Sequence, residues 1–407
     1  DLRIHVETGE LDGITRVLVN RGVCDWTPLD QVLHFRGEPV LNGLFGVPKT
    51  STIDSGEPIL RVIMNLVPSN SVMLQLEGAV KTLPSITSWM SVVTEGKEEV
   101  RIWQSDMCNA FYLFALPHQW RRCLSFNILR WGNEIGKDPA VRYALSCCVL
   151  PMGWLSSVAI MQEVSEQILL QGSLSEAEQV VRNRAVPLWM VGLLKEAKRQ
   201  NRSWWHVYLD NYAGGQIVDK GEETIGGERL HELAETAWQK AQVVSSEKKR
   251  KRGVVEAEEL GALVSGATNT IGGSPNRLLR VIQATLWVLS RTHLSKKHVQ
   301  VIAGRWIHIL QFRRPGMSFL EATWEYVGSK KFDLGLVLRV RRELWAIVCA
   351  TPFFQTNLGA TVSQVTTASD ASNTGGAVGI AYELSSEGQD FVAASKSGMD
   401  AQATASI

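Results

Sequence analysis

The sequence predicts an α+β protein, on three observations. Runs of alternating or β-branched residues, which are typical of strands, recur up to about residue 270; a basic region with helical spacing follows; and short strand-like runs return after about residue 360. The chain has 407 residues, 45% of them hydrophobic and 20% charged, which indicates a globular protein with room for two or three domains. No apolar run is long enough to span a bilayer and no signal peptide is recognisable, so no membrane partner is predicted.

The cysteines and histidines do not predict a zinc centre. The six cysteines are not spaced in pairs, and the eight histidines do not cluster with them. Reduced and mostly buried thiols are predicted instead, which favours an intracellular protein, cytoplasmic or nuclear. The chain begins at Asp1 without Met and ends abruptly at Ile407, which we interpret as a piece of a longer product.

Positive charge is concentrated in one part of the chain. The net charge is only +1, yet Asn276–Arg342 holds 13 Lys and Arg against 3 Asp and Glu, and a dense basic run, Lys248–Arg252, precedes it. A near-neutral protein with one strongly basic third is typical of a surface that binds a polyanion. The alternatives are a solvated helix face and, for the short run, a nuclear-import signal.

Two extended segments near the start, Gly43–Thr50 and Ile59–Leu66, predict an antiparallel hairpin after a lead-in at residues 1–40. Each segment carries one cation, Lys49 in the first and Arg61 in the second. A guanidinium offers bidentate contacts and an ammonium a point charge, so such a hairpin can close on a triphosphate. Two exposed strand cations are the alternative interpretation.

The segment Arg101–Asp106 predicts a strand that ends on a carboxylate. Such strand ends are common places for chemistry, although capping of the next helix is the ordinary explanation. A strand pair, a turn, a capped helix and a polar insertion at residues 172–203 are predicted next. The two strands are Cys123–Arg130 and Arg142–Val149, and the turn is Pro151–Gly153. The helix is Val158–Leu170, with Ser156 or Ser157 as its cap.

A second carboxylate is predicted at the tip of a tight hairpin. The apolar runs Trp204–Leu209 and Tyr212–Val218 flank the pair Asp210-Asn211, which we place at the turn. A carboxylate lifted out of a hydrophobic sheet is costly unless something binds it. An ordinary surface turn remains the alternative, because Asp and Asn are common turn residues.

The rest of the chain predicts helices and then strands. The predicted elements are the helix Glu228–Ala241, the strand Glu258–Ser265, two helices within Arg277–Arg314 that end before Pro315, the helices Phe319–Tyr326 and Val337–Val348, and the strands Val365–Ser372, Gly375–Tyr382 and Asp390–Ser395.

Together these features predict a phosphoryl-transfer site. Carboxylate oxygens such as those of Asp106 and Asp210 are the ligands that Mg²⁺ or Mn²⁺ prefers, and two such ions stabilise both the attacking and the leaving oxygen. Lys49 and Arg61 would neutralise a triphosphate, and the basic helical region would hold a duplex. In this order they indicate a nucleotide polymerase.

Five motifs in family order make the chain similar to the reverse transcriptases of retroelements. They are Val47-Pro-Lys49, Arg61, Ser105–Phe111, Leu150–Trp154 with Gln162, and Tyr208–Asn211. The tail Ser369–Gly376 resembles the opening strand and turn of a ribonuclease H domain. The basic helical segment is most similar to that of tyrosine-recombinase-type retrotransposons.

The resemblance implies a right-hand polymerase that adds deoxynucleoside triphosphates to a primer on an RNA or DNA template. It implies a lead-in at 1–40, fingers and palm at 41–270, a basic helical thumb or connection at 271–360, and a partial ribonuclease H-like β-meander at 361–407. The implied roles are Mg²⁺ or Mn²⁺ at Asp106, Asp210 and Asn211; the triphosphate on Lys49 and Arg61; an aromatic gate against ribonucleotides at Phe111; nucleotide contacts from Met152 and Gln162; a primer grip at Leu260-Gly261; a proton-donating lysine at Lys248 or Lys249; and the first ribonuclease H carboxylate at Asp370.

Three departures from the family pattern bear on activity. Asn211 stands where the family usually has a second aspartate, Met152 stands where many relatives have Gln, and the ribonuclease H region has Asp370 but none of the later carboxylates. We therefore keep two alternatives: a remnant that binds nucleic acid without turnover, and a polymerase that copies RNA into RNA. Phe111 disfavours the second, because a bulky gate suits deoxynucleotides.

Overall fold

The computed structural model describes residues 4–5, 9–52, 58–181, 186, 202–331, 333–360, 365–372, 375–383 and 385–386. The chain divides into two compact units. Unit 1 consists of Asp1–Lys81, Met107–Ile168 and Trp238–Ser246, and unit 2 of Thr82–Asp106, Leu169–Ala237 and Glu247–Ile407.

Strands and helices occur largely in separate runs along the described chain, such as the four strands within residues 251–273 followed by the four helices within residues 275–349, as is typical of an α+β protein. The helices are α1 (Leu11–Asn20), α2 (Val67–Val72), α3 (His118–Arg121), α4 (Ser157–Gln171), α5 (Ile225–Lys240), α6 (Pro275–Leu289), α7 (Lys296–Leu310), α8 (Glu321–Gly328) and α9 (Leu334–Cys349). The strands are β1 (Ile4–His5), β2 (Cys24–Pro28), β3 (His34–Phe35), β4 (Glu38–Pro39), β5 (Gly43–Thr52), β6 (Pro58–Asn65), β7 (Glu98–Asp106), β8 (Ser125–Trp131), β9 (Arg142–Cys147), β10 (Ser203–Tyr208), β11 (Asn211–Asp219), β12 (Lys251–Val254), β13 (Glu256–Glu259), β14 (Ala262–Ser265), β15 (Thr270–Gly273), β16 (Gln355–Asn357), β17 (Thr366–Ser372) and β18 (Gly375–Ala381).

Unit 1 is built on two three-stranded sheets, ordered β1-β5-β6 and β2-β9-β8. β5 and β6 are antiparallel, as are β8 and β9, so the hairpin and the strand pair predicted for this region are confirmed. The predicted helix is also confirmed as α4, which begins at Ser157, immediately after Ser156. The hydroxyl of Ser156 accepts from the backbone N–H of Leu76 and that of Ser157 donates to the carbonyl of Pro151, so both tie the start of α4 to neighbouring loops.

The predicted thiols are present as free cysteines throughout the described chain. Cys24 and Cys147 lie opposite each other in the pairing of β2 with β9, and both are buried. Burial raises the pKa of the Cys147 thiol to about 12, so it packs as a neutral group.

The central sheet of unit 2 has the order β10-β11-β7-β12 and is antiparallel throughout. It confirms the strand predicted to end at Asp106 and the hairpin predicted at Trp204–Val218. Three of its tryptophans, Trp103, Trp204 and Trp205, are fully buried. Close packing leaves no room at two glycines: a Cβ on Gly215 would lie 2.2 Å from the ring of Trp204, and one on Gly227 2.2 Å from the ring of Trp103.

We expect Gly215→Ala to destabilise the protein by about 1–3 kcal/mol, because an added methyl in a close-packed core forces its neighbours to move. Gly304→Ala is the matched control. Gly304 is exposed in α7, and a Cβ there meets nothing within 4 Å. Alanine in an exposed helix is favoured over glycine by roughly 0.5–1 kcal/mol. Thermal unfolding midpoints measure both changes, and equal midpoints for the two variants would contradict the packing argument.

The strand predicted at Glu258–Ser265 is wrong in part, because the chain reverses within it. β13 ends at Glu259, and β14 begins at Ala262 and pairs with it antiparallel. Leu260 and Gly261 form the two-residue turn with φ of +45° and +81°. The glycine interpreted as part of a strand is a turn residue, since positive φ at both positions is what a tight hairpin turn requires. The sheet continues through β15 to β16.

The basic segment is helical, as predicted, and its helices share one core. Two helices, α6 and α7, are separated near residues 290–295, and α8 and α9 follow. The helix end predicted before Pro315 comes earlier: α7 stops at Leu310, and a 3-10 segment with a kink at Arg313 carries the chain through Pro315. Buried residues such as Trp306, Leu310 and Leu344 fill the core. No helix among the described residues is both long and apolar enough to cross a membrane.

The tail forms an antiparallel strand pair, β17 with β18. This confirms two of the three strands predicted there. The third, Asp390–Ser395, lies outside the described residues, as does much of the insertion predicted at 172–203.

Candidate active site

The two aspartates singled out in the sequence are brought together by the central sheet of unit 2. Asp106 is the last residue of β7 and is the register partner of Asn211, the first residue of β11. Asn211 is in turn the partner of Tyr208 on β10. Asp210 immediately precedes Asn211 in the turn, so it lies diagonally across from Asp106. The carboxylates therefore share one edge of the sheet, at the ends of strands that are otherwise buried.

The hairpin tip differs by one residue from the prediction. The two turn residues are Leu209 and Asp210, while Asn211 is already paired in β11. Leu209 has φ of +58°, a left-handed conformation that a bulky L-residue rarely adopts. Strain of this kind costs roughly 1–3 kcal/mol and persists where the surroundings enforce it, which is frequent at functional sites. The correct turn could not be read from the sequence because Asn tolerates positive φ better than Leu.

The site concentrates negative charge that a single lysine offsets in part. Burial raises the pKa of Asp210 above its ordinary value, and the nearby charge of Asp106 raises it further, while Lys249 opposes both. The Nζ of Lys249 lies 2.8 Å from Oδ2 of Asp106. A bound cation would relieve the repulsion between Asp210 and the nearby Asp106.

A buried polar network holds the segment that carries Lys249. The hydroxyl of Ser105, beside Asp106, donates to Oε1 of Glu235 at 2.5 Å, and Oε2 of Glu235 accepts from Arg250 at 2.7 Å. The Nε2 of His231 lies 2.9 Å from the Ser105 hydroxyl, and burial lowers the pKa of His231, which favours its neutral form. Arg250, the neighbour of Lys249, is thereby linked through Glu235 to β7, the strand that ends at Asp106.

The donor set fits a hard divalent cation held with the help of water and substrate. Asp106 and Asp210 supply carboxylate oxygens, while Asn211 donates its Nδ2 to Oδ1 of Asp210 at 3.2 Å. No group of three or more His, Cys, Asp or Glu among the described residues could hold a metal ion by itself. Mg²⁺ commonly binds through one or two carboxylates plus substrate phosphates, so two carboxylates are a sufficient protein contribution.

The residues predicted to bind the nucleotide all belong to unit 1. Arg61 is exposed on β6. Phe111 is half-buried in a 3-10 turn, and the next residue, Tyr112, donates its hydroxyl to the carbonyl of Val62 at 3.2 Å. Arg61 is near enough to lower the pKa of Tyr112, although burial raises that pKa overall. The structure thus brings the segments of Arg61 and Phe111 together.

The turn that contains Met152 is held by α2, while Gln162 has a packing environment. Asn70 accepts from the N–H of Leu155 and donates to the carbonyl of Gly153, which holds the turn that contains Met152. Gln162 is fully buried in α4 and donates to Glu166 at 2.7 Å. The side chains of Lys49 and Asp370 lie outside the described part of the structure.

Most cations of the basic segment are exposed. The two half-buried ones have structural roles: Arg341 donates to the carbonyls of Leu289, at the end of α6, and of Thr292, and Lys296 binds Ser329. Others, including Arg280, Lys297 and Arg305, are exposed on α6 and α7. Exposed cations at these positions are compatible with contact to a polyanion.

Sequence reasoning missed two contacts at the site. It left Lys248 and Lys249 as equal candidates, and the structure places Lys249 on Asp106. It gave no role to Glu259, which bonds to Gln104 on the strand of Asp106 and to His206 on the strand that leads to Asp210. No local pattern reports such bonds, because the partners are 53 and 155 residues away in the chain.

No family model matches the chain, and no curated protein sequence matches it. Many solved structures match the chain, among them two of a foamy viral protease-reverse transcriptase. The foamy viral protease-reverse transcriptase dRH in complex with double-stranded DNA has a TM-score of 0.54 at 15% identity, covering 93% of this chain and 54% of that chain. The foamy viral protease-reverse transcriptase in complex with double-stranded DNA has a TM-score of 0.54 at 16% identity, covering 93% of this chain and 65% of that chain.

The chain therefore has a reverse-transcriptase-like fold. It spans between 54% and 65% of the length of those structures. At 15–16% identity the similarity shows the fold alone.

Proposed function

We propose that the chain is the polymerase part of a retrotransposon reverse transcriptase, which adds deoxynucleotides to a primer 3′-hydroxyl on an RNA or DNA template. One observation carries the proposal: Asp106 and Asp210 share the edge of a buried sheet within a fold like that of viral reverse transcriptases. Burial is costly for charges that have no ligand, so the pair favours a metal-dependent site over an ordinary turn.

In this proposal the two carboxylates hold Mg²⁺ or Mn²⁺. When bound, a metal pair stabilises the attacking and leaving oxygens of phosphoryl transfer. Asp106 would hold the metal in place of its bond to Lys249, whose side chain is 63% exposed and has room to move away. Arg61 and Lys49 would bind the triphosphate and Met152 would line the nucleotide site, while Gln162, which is buried, would support the site through the packing of α4.

The proposed organisation follows the hand of a polymerase. Fingers and palm occupy residues 41–270, a basic thumb or connection 271–360, and the start of a ribonuclease H-like domain 361–407. Support for nucleic-acid binding comes from the exposed cations of α6 and α7 and from the fold neighbours, which were solved with double-stranded DNA. Support for the ribonuclease H-like assignment comes from the antiparallel pair β17–β18, in which Asp370 belongs to β17.

A second candidate function is a binding protein that has lost turnover, and Asn211 favours it. Extension of oligo(dT) on poly(rA) with dTTP and either Mg²⁺ or Mn²⁺ separates the two. The polymerase proposal expects extended primer. Retained duplex binding without any extension, in either metal, would establish the binding protein instead.

Phe111→Ala is expected to increase the use of ribonucleotides relative to deoxynucleotides. The physical reason is steric, because a ring under the sugar collides with a 2′-hydroxyl and a methyl group does not. The measurement is the ratio of kcat/KM for dTTP to that for UTP in primer extension. Phe114→Ala, a change of the same type three residues away, is the matched control. An unchanged ratio in the Phe111 variant would remove the gate assignment.

A further inference from the structure

A row of three residues crosses the central sheet of unit 2 two positions behind the candidate site. His206 on β10 is the register partner of Ala213 on β11, and Ala213 is the partner of Gln104 on β7. His206 lies four residues before Asp210 in the chain, and Gln104 two before Asp106. The row therefore joins the two strands that present the carboxylates.

One carboxylate binds both ends of this row. Glu259, the last residue of β13, has Oε1 3.1 Å from Nε2 of His206 and Oε2 2.5 Å from Nε2 of Gln104. Ala213 stands between those two residues, and its methyl group is small enough for the carboxylate to reach across it. His206 is 1% exposed and Glu259 5% exposed, so the His206 end of the bridge is shielded from water, while Gln104 is half-buried.

The protonation of His206 follows from its other neighbour. The Nε1–H of Trp89, which can only donate, points to Nδ1 of His206 at 3.3 Å. Nδ1 must then be the acceptor, and the ring proton lies on Nε2, where it is donated to Glu259. The carboxylate accordingly receives one donor on each oxygen.

Stability alone does not account for this bridge. A buried polar pair is often no more stable than well-packed apolar residues of similar volume, whereas leaving one partner alone is strongly destabilising. Three elements meet at Glu259: β10, β7 and the β13–β14 hairpin, whose turn begins at the next residue. The bridge instead fixes the distance between β10 and β7 and attaches both strands to the β13–β14 hairpin.

We propose that Glu259 is a positioning residue: it holds Asp106 and Asp210 at the separation that binding a divalent cation requires, and it ties that separation to the β13–β14 hairpin. The inference rests on the proposed function, because it assumes that the two aspartates bind metal. It adds a residue that touches neither metal nor substrate but sets the affinity of the site.

The test is Glu259→Gln, which keeps shape and removes one acceptor. The introduced amide oxygen can still accept from Gln104, but the new N–H₂ faces the Nε2–H of His206. If the His206 proton shifts to Nδ1, Nε2 can accept from the new amide, but the Nδ1–H then faces the Nε1–H of Trp89. We expect the Mn²⁺ dissociation constant, measured from the paramagnetic resonance signal of free Mn²⁺, to rise roughly 10-fold, as is typical when a group that orients metal ligands is changed.

The variant Trp89→Phe, Glu259→Gln is expected to restore Mn²⁺ affinity to within about threefold of Trp89→Phe alone. With the indole N–H removed, His206 can carry its proton on Nδ1 and accept from the introduced amide at Nε2. Nitrogen chemical shifts of the His206 ring report this exchange of tautomer directly. Glu258→Gln, an exposed change on the same strand, is the control and should leave Mn²⁺ affinity unaltered.

Several outcomes would overturn the inference. They are wild-type Mn²⁺ affinity in Glu259→Gln, no rescue in the double variant, or a wild-type protein that binds no Mn²⁺. Primer extension tests the proposed function separately. A wild type that extends no primer, but whose Mn²⁺ affinity falls and recovers as described, would support the positioning role and remove the polymerase assignment. If Glu259→Gln extends primers and binds Mn²⁺ as the wild type does, the polymerase assignment would stand and the positioning role would be removed.

Discussion

Asp210→Asn is expected to reduce primer extension by two to three orders of magnitude. The substitution keeps the size of the side chain and removes its charge, and a metal-dependent site draws several kcal/mol of transition-state stabilisation from such charges, where each 1.36 kcal/mol is tenfold in rate. Because burial and Asp106 raise the pKa of Asp210, the neutral amide should also fold well in the absence of metal. The measurement is the single-turnover rate of primer extension in Mg²⁺.

The control is Asp219→Asn at the other end of β11. It makes the same chemical change in the same strand and should retain the wild-type rate. If Asp210→Asn and Asp219→Asn extended primers equally, Asp210 would be an ordinary turn residue, and the site would have to be sought elsewhere.

Asn211→Asp is expected to tighten Mg²⁺ or Mn²⁺ binding about 10-fold and to increase primer extension. It adds a carboxylate directly opposite Asp106 in the sheet. At an effective dielectric constant near 20, a charge at about 4 Å from a cation is worth about 4 kcal/mol per unit of cation charge, and part of this is lost to repulsion among the carboxylates. The same repulsion should lower the thermal midpoint in EDTA, and added metal should restore it.

The size of the metal-dependent change in thermal midpoint is the second readout. It should be larger for Asn211→Asp than for the wild type, since a ligand that binds only the folded state stabilises it by RT ln(1 + [L]/Kd), which increases as Kd falls. Asn133→Asp, an exposed change in unit 1, should behave as the wild type. Equal metal affinity for all three proteins would mean that position 211 has no part in metal binding.

Local patterns sufficed for most of the strands and helices that were predicted, since these depend on nearby residues. β7 was predicted to end at Asp106 because an apolar run stops there, and the hairpin around Asp210 because two apolar runs flank polar residues. The errors fall where a backbone angle decides. Leu209 and Leu260 both adopt positive φ, which the pattern of apolar residues assigns to strands.

Of the charged residues at the site, Asp106 and Asp210 were the ones that the sequence singled out. Asp106 and Asp210 stand out because charges at the ends of apolar strands are unusual. Lys249 and Glu259 do not stand out, because one belongs to a basic run and the other to an acidic strand, and both act through side chains distant in the chain. Hydrogen bonds between strands that are not neighbours in sequence have no local signature.

The interleaving of the two units has a consequence for how the protein is made. The chain passes between them at residues 81–82, 106–107, 168–169, 237–238 and 246–247. Unit 1 cannot be completed before Ser246 has left the ribosome, and at about 5–20 residues per second the stretch from Leu169 to Ser246 takes roughly 4–16 s to synthesise. During that time the apolar strands of unit 1 lack their last partner segment. Expression of any product that stops before residue 246 should therefore yield aggregated protein, and nascent chains of that length are expected to be bound by chaperones.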